Sequence, residues 1–348
     1  MKFNQFLVGM SFLCMYTGSF SVRAFGAEVD DAWDAANSPS IIDGDNQEAH
    51  FDALPLSGSV DESMIPWSDT YWPNVQGGIA RRWHNPENPA GFKYHLMTRD
   101  EAKAASAQAI EMLSPAEKLD IMNGRFDYPT VKKVWSKVSP HDKSWNGICN
   151  GWSPASINHR EPAPRDMVSA DGIRVSFGSS DIKALMSYYY AWVSESPVNF
   201  MGRRCSFNHL SFIKSCEDVN AGAFHMVITN RIGIQKKAFI ADISRFKEVW
   251  NNPVYGFESK IVSRTSKKIV VETKMIYTDE LDEPLWQSVI GTKEFQRSEK
   301  IYRYSLDLDG EGRIVGGDWL TSDRPDFLWT KEISTFDGDF AVVNKLLE

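Results

Sequence analysis

The chain has 348 residues, 42% of them hydrophobic and 12% aromatic, enough to bury a substantial core in two domains or in one large bilobed domain. Its charged fraction of 24% is ordinary for a globular protein. A net charge of −8 without a basic patch argues against a nucleic-acid partner.

The N-terminus reads as an export signal. Lys2 is the only charge before Arg23. The run FLVGMSFLCMY is too short to cross a bilayer and long enough for the apolar stretch of a signal peptide. Small residues follow, so residues 1–24 are assigned as the signal, with cleavage after Ala24 or at the latest after Ala27. The protein is therefore expected to be secreted: extracellular, periplasmic or cell-wall associated. Cleavage takes Lys2 and Arg23 with it and moves the net charge from −8 to −10. Cys14 lies inside the signal, without the neighbours of a lipid-attachment site. No later segment is long and apolar enough to span a membrane.

Residues 28–80 contain no Lys or Arg, and Glu28 to Asp69 is rich in acids, Ser, Gly and Pro. Residues 28–64 cannot bury enough apolar surface to fold alone. They read as a disordered leader or as a pro-segment covering an active site. A catalytic domain is placed over residues 65–348, beginning at IPWSDTYWP. Its aromatics pin this segment to the core, with a substrate groove as the alternative.

Helices come next. TRDEAKAASAQAIEML starts with Thr98 and Glu101 at capping-box spacing; SPAEKLDIMNG has Ser114 as N-cap, Pro115 at the first position and Glu117 at the third. SSDIKALMSYYYAWVSES, residues 179–196, is a third helix, capped by Ser179 or Ser180, with Tyr188–Tyr190 as packing. After about residue 200, FHMVITN, KKAFIADI, KIVVETKMIY, EKIYRYSLDLD and GRIVGGDWL read as strands between turn residues. Helices first and strands second make the fold class α+β.

Three cysteines remain after the signal: Cys149, Cys205 and Cys216. Cys205 and Cys216 are close enough in sequence to pair as a disulfide in an exported chain, which leaves Cys149 as the odd thiol. It sits in SWNGICNGWS. A nucleophilic cysteine needs an accessible thiolate, a base within reach and a group to orient that base. A helix starting near Cys149 would lower the thiol pKa and offer free N–H groups to an oxyanion. Pro154 would then belong to its first turn. Gly147 and Gly151 leave room for a substrate amide. Trp145, Gly147 and Trp152 are candidates for an oxyanion site or substrate groove, with packing the ordinary role of the tryptophans. The region before the cysteine, SPHDKSW, has no glutamine of the papain type.

His159, His209 and His225 are the candidate bases. The first two read as surface or structural residues. If FHMVIT and AFIADI form a hairpin turning at Gly233–Ile234, His225 faces Asp242 directly. Cys149, His225 and Asp242 then form a thiol acyl-transfer triad. His225 follows Cys149 by 76 residues, well short of the roughly 130–150 of papain-type enzymes.

The segment EVWNNPVYGFES resembles the elicitor segment of oomycete transglutaminases, V-W-N-Q-P-V-R-G-F-K, matching at Val249, Trp250, Asn251, Pro253, Val254, Gly256 and Phe257. It departs at Asn252, Tyr255 and Glu258. IPWSDTYWP, GICNGWSPASI, DIKALMSYYY, DVNAGAFHMVITNRIG and LDLDGEGRIVGGDW are also similar to blocks of the transglutaminase elicitor family, which includes marine bacterial homologues. The resemblance runs from about residue 65 to about residue 320. It implies a papain/transglutaminase-like core and a protein-glutamine γ-glutamyltransferase. Cys149 would attack the side-chain amide of a protein glutamine, release ammonia and pass the acyl group to a lysine. The elicitor segment would be a surface epitope recognised by plants, a role its departures at Tyr255 and Glu258 put in doubt.

The chemistry requires no cofactor, and the resemblance admits calcium. Asp307, Asp309, Glu311 and Asp318 fall at the spacing of a calcium loop, but strand-like flanks favour a hairpin turn. The expected partners are proteins with accessible Gln and Lys; the oligomeric state is open. The alternatives are a thiol amidohydrolase, cysteine protease or glutamine deamidase with the same triad, and a non-enzymatic surface protein recognised by a host.

Overall fold

The computed structural model describes residues 33–84, 92–203, 218–243, 248–281 and 296–348. The fold is α+β, with a helical N-terminal half and a strand-rich C-terminal half. The elements are, in chain order, α1 (Ser40–Asp43), β1 (Ser57–Ser59), α2 (Arg99–Ala104), α3 (Ala107–Glu111), α4 (Pro115–Met122), α5 (Pro129–Trp135) and α6 (Cys149–Asn158). There follow β2 (Arg165–Val168), β3 (Arg174–Phe177), α7 (Ser179–Trp192), β4 (Val198–Gly202), α8 (Ala221–Val227), β5 (Phe239–Asp242) and β6 (Asn251–Arg264). The chain closes with β7 (Lys268–Thr278), β8 (Arg297–Leu308), β9 (Ile314–Trp319), β10 (Phe327–Lys331) and α9 (Val342–Leu346).

Local chemistry sets the helix starts. Thr98 with Glu101 and Ser114 with Glu117 close reciprocal capping boxes on α2 and α4. The Ala-rich run is two helices and not one, because Ser106 caps a second start by accepting the Ala109 N–H at 3.2 Å. On α7 the backbone N–H of Gly178 donates to Asp181 at 2.7 Å. That carboxylate also holds the buried Lys118 ammonium at 2.5 Å, joining α4 to α7.

The large sheet is antiparallel, ordered β4-β10-β5-β6-β7-β8-β9, with β1 added to β6. Its two faces carry different cores. Phe239, Ala241, Val254 and Leu328 point to one side, where they pack with Phe224, Val227 and Ile228 of the α8 region. Ile240, Phe327 and Trp329 alternate with them and point to the other side, against Ile157 of α6. The helices α6 and α7 continue that side into a core of their own with Trp67, Trp72 and Trp152.

Residues 33–64 are part of this structure. Ser57–Ser59 pair with Gly256–Glu258, and Ile42, Phe51 and Leu54 are buried in the α8-side core. Acids of this segment meet arginines of the body: Asp43 pairs with Arg231 at 3.1 Å and Asp52 with Arg264 at 2.6 Å. A disordered leader therefore does not describe residues 33–64. They lack the means to fold alone, yet they complete a surface that the rest of the chain offers.

The stretch FHMVITN is not a strand. Asn220 caps a helix there by accepting the N–H groups of Gly222 and Ala223, and Ile228–Ile234 continues it as a π-helix. A short apolar run buried all round has no periodicity to distinguish strand from helix. The calcium-loop spacing at 307–318 is the β8–β9 hairpin. Asp307 and Asp318 both hold Lys268, while Asp309 and Glu311 hold Arg313. The four acids share two cations across the hairpin.

Candidate active site

Cys149 is the first residue of α6, held there by two backbone constraints. The Ile148 N–H donates to the Tyr71 carbonyl at 2.7 Å. At Gly147 a side chain would put Cβ 2.3 Å from that same carbonyl oxygen. Gly151 has a similar duty further on, since its Cβ would lie 1.9 Å from the Ser187 carbonyl of α7. The flanking glycines thus let backbones touch and do not make room for substrate. Pro154 lies inside α6, beyond the first turn in which it was expected.

The helix start meets the end of the sheet where β5 and β6 pair. The Asn251 side-chain Nδ2 donates to the Cys149 sulfur at 3.5 Å, and the thiol faces the Val249 carbonyl at 4.0 Å. The Trp329 indole N–H donates to Asn251 Oδ1 at 2.9 Å. The Ser153 hydroxyl of α6 donates to the Asn251 carbonyl, tying helix and strand together. Asp242 is directly opposite Asn251 in the β5–β6 ladder. Opposed residues project to the same face, so Asp242 shares the Cys149 side of the sheet, where its Oδ1 accepts the Trp250 N–H at 3.3 Å. Trp250 packs edge-on against Tyr71, ring centres 5.9 Å apart. It also lines a cavity of about 380 Å³ with Asp279, Glu280 and Gln296.

Burial pushes the Cys149 thiol above its ordinary range; the Asn251 amide opposes this, and the Glu280 carboxylate adds to it.

The His225–Asp242 pair of the sequence reading does not form. The hairpin that would oppose them is replaced by helix over Ala221–Ile234. His225 faces the other core, with Nδ1 2.8 Å from the Tyr304 hydroxyl and its ring stacked on Phe51 at 5.7 Å. Fully buried, it is pushed down to about 3 and stays neutral. Asp242 and His225 thus lie on opposite faces of one sheet. Among the described residues no histidine hydrogen-bonds to Cys149. His159 caps the far end of α6 and pairs with the Tyr190 hydroxyl at 2.9 Å. His209, Cys205 and Cys216 lie outside the described residues.

The other candidates divide. Trp152 is fully buried with its N–H on the Trp67 carbonyl at 3.1 Å, a packing residue and not a groove wall. Trp145 is half-buried beneath the Lys143 ammonium. Tyr188–Tyr190 are buried on α7, as expected of packing. The elicitor-like segment is a central strand: residues 251–257 are all buried. It is no surface epitope in the folded chain; its N-terminal end forms the wall of the thiol site instead. Sequence reading passed over Asn251 and Trp329 as chemistry. In the sequence Asn251 stands out only as a motif match, and nothing joins it to a tryptophan 78 residues further on.

The sequence profile of a family described as transglutaminase elicitor matches residues 138–336. Among solved structures, the GP42 transglutaminase from Phytophthora sojae is similar with a TM-score of 0.66 and 22% sequence identity. That likeness covers 90% of this chain and 98% of that one. No curated protein matches the chain. Among the described residues no helix is long and apolar enough to cross a membrane.

Proposed function

The chain belongs to the transglutaminase elicitor family, and from that premise we propose that it is an exported protein-glutamine γ-glutamyltransferase with Cys149 as nucleophile. The observation that carries this is the placement of the one described cysteine. It stands half-buried at a helix start, with an oriented amide donor at 3.5 Å. The sulfur attacks the side-chain amide carbon of a protein glutamine; the C–S bond forms and the C–N bond breaks. The thiol proton leaves with ammonia. A lysine amine then attacks the thioester, the isopeptide C–N bond forms, and the electron pair of the C–S bond returns to sulfur with the amine proton. The first turn of α6 presents its backbone N–H groups and the positive end of the helix dipole on the side where the oxyanion of each tetrahedral intermediate would form. Asp242 lies opposite Asn251 in the ladder, on the same face of the sheet.

The test is incorporation of a fluorescent primary amine into casein. Cys149→Ala abolishes incorporation while leaving the thermal midpoint within a few degrees of wild type. Undiminished incorporation by that variant would exclude Cys149 as nucleophile. Peptide cleavage without amine incorporation would mark the protein as a thiol protease, and glutamate formation alone as a deamidase.

A further inference from the structure

We propose that Asn251 is a catalytic residue: its side-chain amide donates to the Cys149 sulfur and stabilises the thiolate, while Trp329 is the positioning residue that fixes which end of the amide faces the sulfur. This rests on the reading of Cys149 as the nucleophile.

The two ends of an asparagine amide are alike in shape and opposite in hydrogen-bonding sense. An indole N–H can only donate. Trp329, 2.9 Å from Oδ1, therefore settles the orientation: the oxygen faces the indole, and the NH₂ group faces Sγ at 3.5 Å. The backbone of Asn251 is held as firmly. It pairs with Asp242 in the ladder, and its carbonyl accepts the Ser153 hydroxyl from α6. Asn251 and Trp329 are 6% and 7% exposed, so water competes weakly for either contact.

The sulfur's neighbours favour opposite protonation states: the Val249 carbonyl the thiol, the Asn251 side chain and, more weakly, the backbone N–H groups of Asn251 and Asn150 the thiolate. A protonated thiol can donate to the Val249 carbonyl at 4.0 Å. A thiolate is repelled by that carbonyl and attracted by the Asn251 NH₂. Burial and the Glu280 carboxylate both act against the thiolate, and the Asn251 side chain is the largest influence in its favour. The thiolate character of sulfur matters twice per cycle. It is the form that attacks the glutamine amide as ammonia leaves. It is also the form in which sulfur departs when the amine opens the thioester.

The experiment is the rate of Cys149 alkylation by iodoacetamide against pH, on the folded full chain, with Cys149→Ala as background. Asn251→Asp keeps the size and the Trp329 contact but sets a carboxylate oxygen against the sulfur. It moves the alkylation midpoint up by about one pH unit and slows alkylation at pH 7 about tenfold. Trp329→Phe keeps a ring but frees the amide to turn, and gives a smaller shift in the same direction. In the casein assay both variants lose kcat more than KM. Should Asn251→Asp fail to fold, the Trp329→Phe midpoint decides alone. Variant profiles superposed on wild type overturn the role of Asn251 and leave the nucleophile standing. Absence of alkylation in folded wild type at every pH overturns both.

Discussion

One sheet presents two faces to two helices, and each face received a residue that sequence reading had placed in a single triad. On the α6 face, Cys149 is half-buried against polar groups whose directions are fixed: an amide turned by an indole, a carbonyl, and a carboxylate opposite in the ladder. On the α8 face, His225 is sealed between Phe51 and Tyr304 and held neutral. Both have hydrogen-bond partners. The difference is access. A group that can exchange protons with a substrate must be reachable, and an imidazole under an aromatic lid is a structural acceptor or donor only.

The sharpest way to break this comparison is to remove the lid. Phe51, in the acidic N-terminal segment, is 3% exposed. Phe51→Ala leaves a cavity beside His225 and costs about 3–5 kcal/mol in a denaturant titration. The kcat of the folded fraction stays within about twofold of wild type. A variant as stable as wild type would mean that residues 33–64 do not belong to the core. A large gain in kcat would mean that this segment restrains catalysis.

A smaller effect comes from His225 itself. His225→Ala costs about 2–4 kcal/mol, through a lost ring and a lost partner for Tyr304, again with kcat nearly unchanged. It also alters the acid limb. The imidazole falls from its usual 6.5 to about 3 on folding, so the unfolded chain binds the extra proton between these values. Stability is then fully present above about 6.5 and is lost as pH falls towards about 3. The variant shows a flatter dependence of unfolding midpoint on pH in that window. A loss of kcat by orders of magnitude with an intact fold would return His225 to the chemistry.

What could be read from the sequence follows the range of the forces involved. Capping boxes at Thr98 and Ser114 are local hydrogen bonds, and they appear where their spacing says. The strands KIVVETKMIY and EKIYRYSLDLD alternate over many residues, and their period survives folding as β7 and β8. The run FHMVITN failed because burial on every side erases the period. Cys149 was legible from its odd count and its glycines, though the glycines serve backbone approaches to Tyr71 and Ser187. Asn251 and Trp329 were not legible as a pair. They meet only because β5 lies between β6 and β10 in the sheet, and strand order is not written in any local window.

The smallest expected effect sharpens the α6 side. Asp69 is fully buried there, accepting from Ser180 at 3.0 Å and from the Thr70 N–H at 2.9 Å, and its own carbonyl holds the Leu281 N–H next to Glu280. Burial pushes its carboxyl up from 3.8 to about 7, against the pull of Lys183. The folded chain thus keeps a proton that the unfolded chain releases, and stability falls as pH rises from about 4 to about 7. Asp69→Asn removes a charge that burial disfavours and keeps an oxygen for both donors. It raises the unfolding midpoint at pH 8 relative to wild type by more than it does at pH 5. If the two midpoints shift equally, Asp69 is already ionised in the fold. The α6 face would then tolerate a bare buried carboxylate.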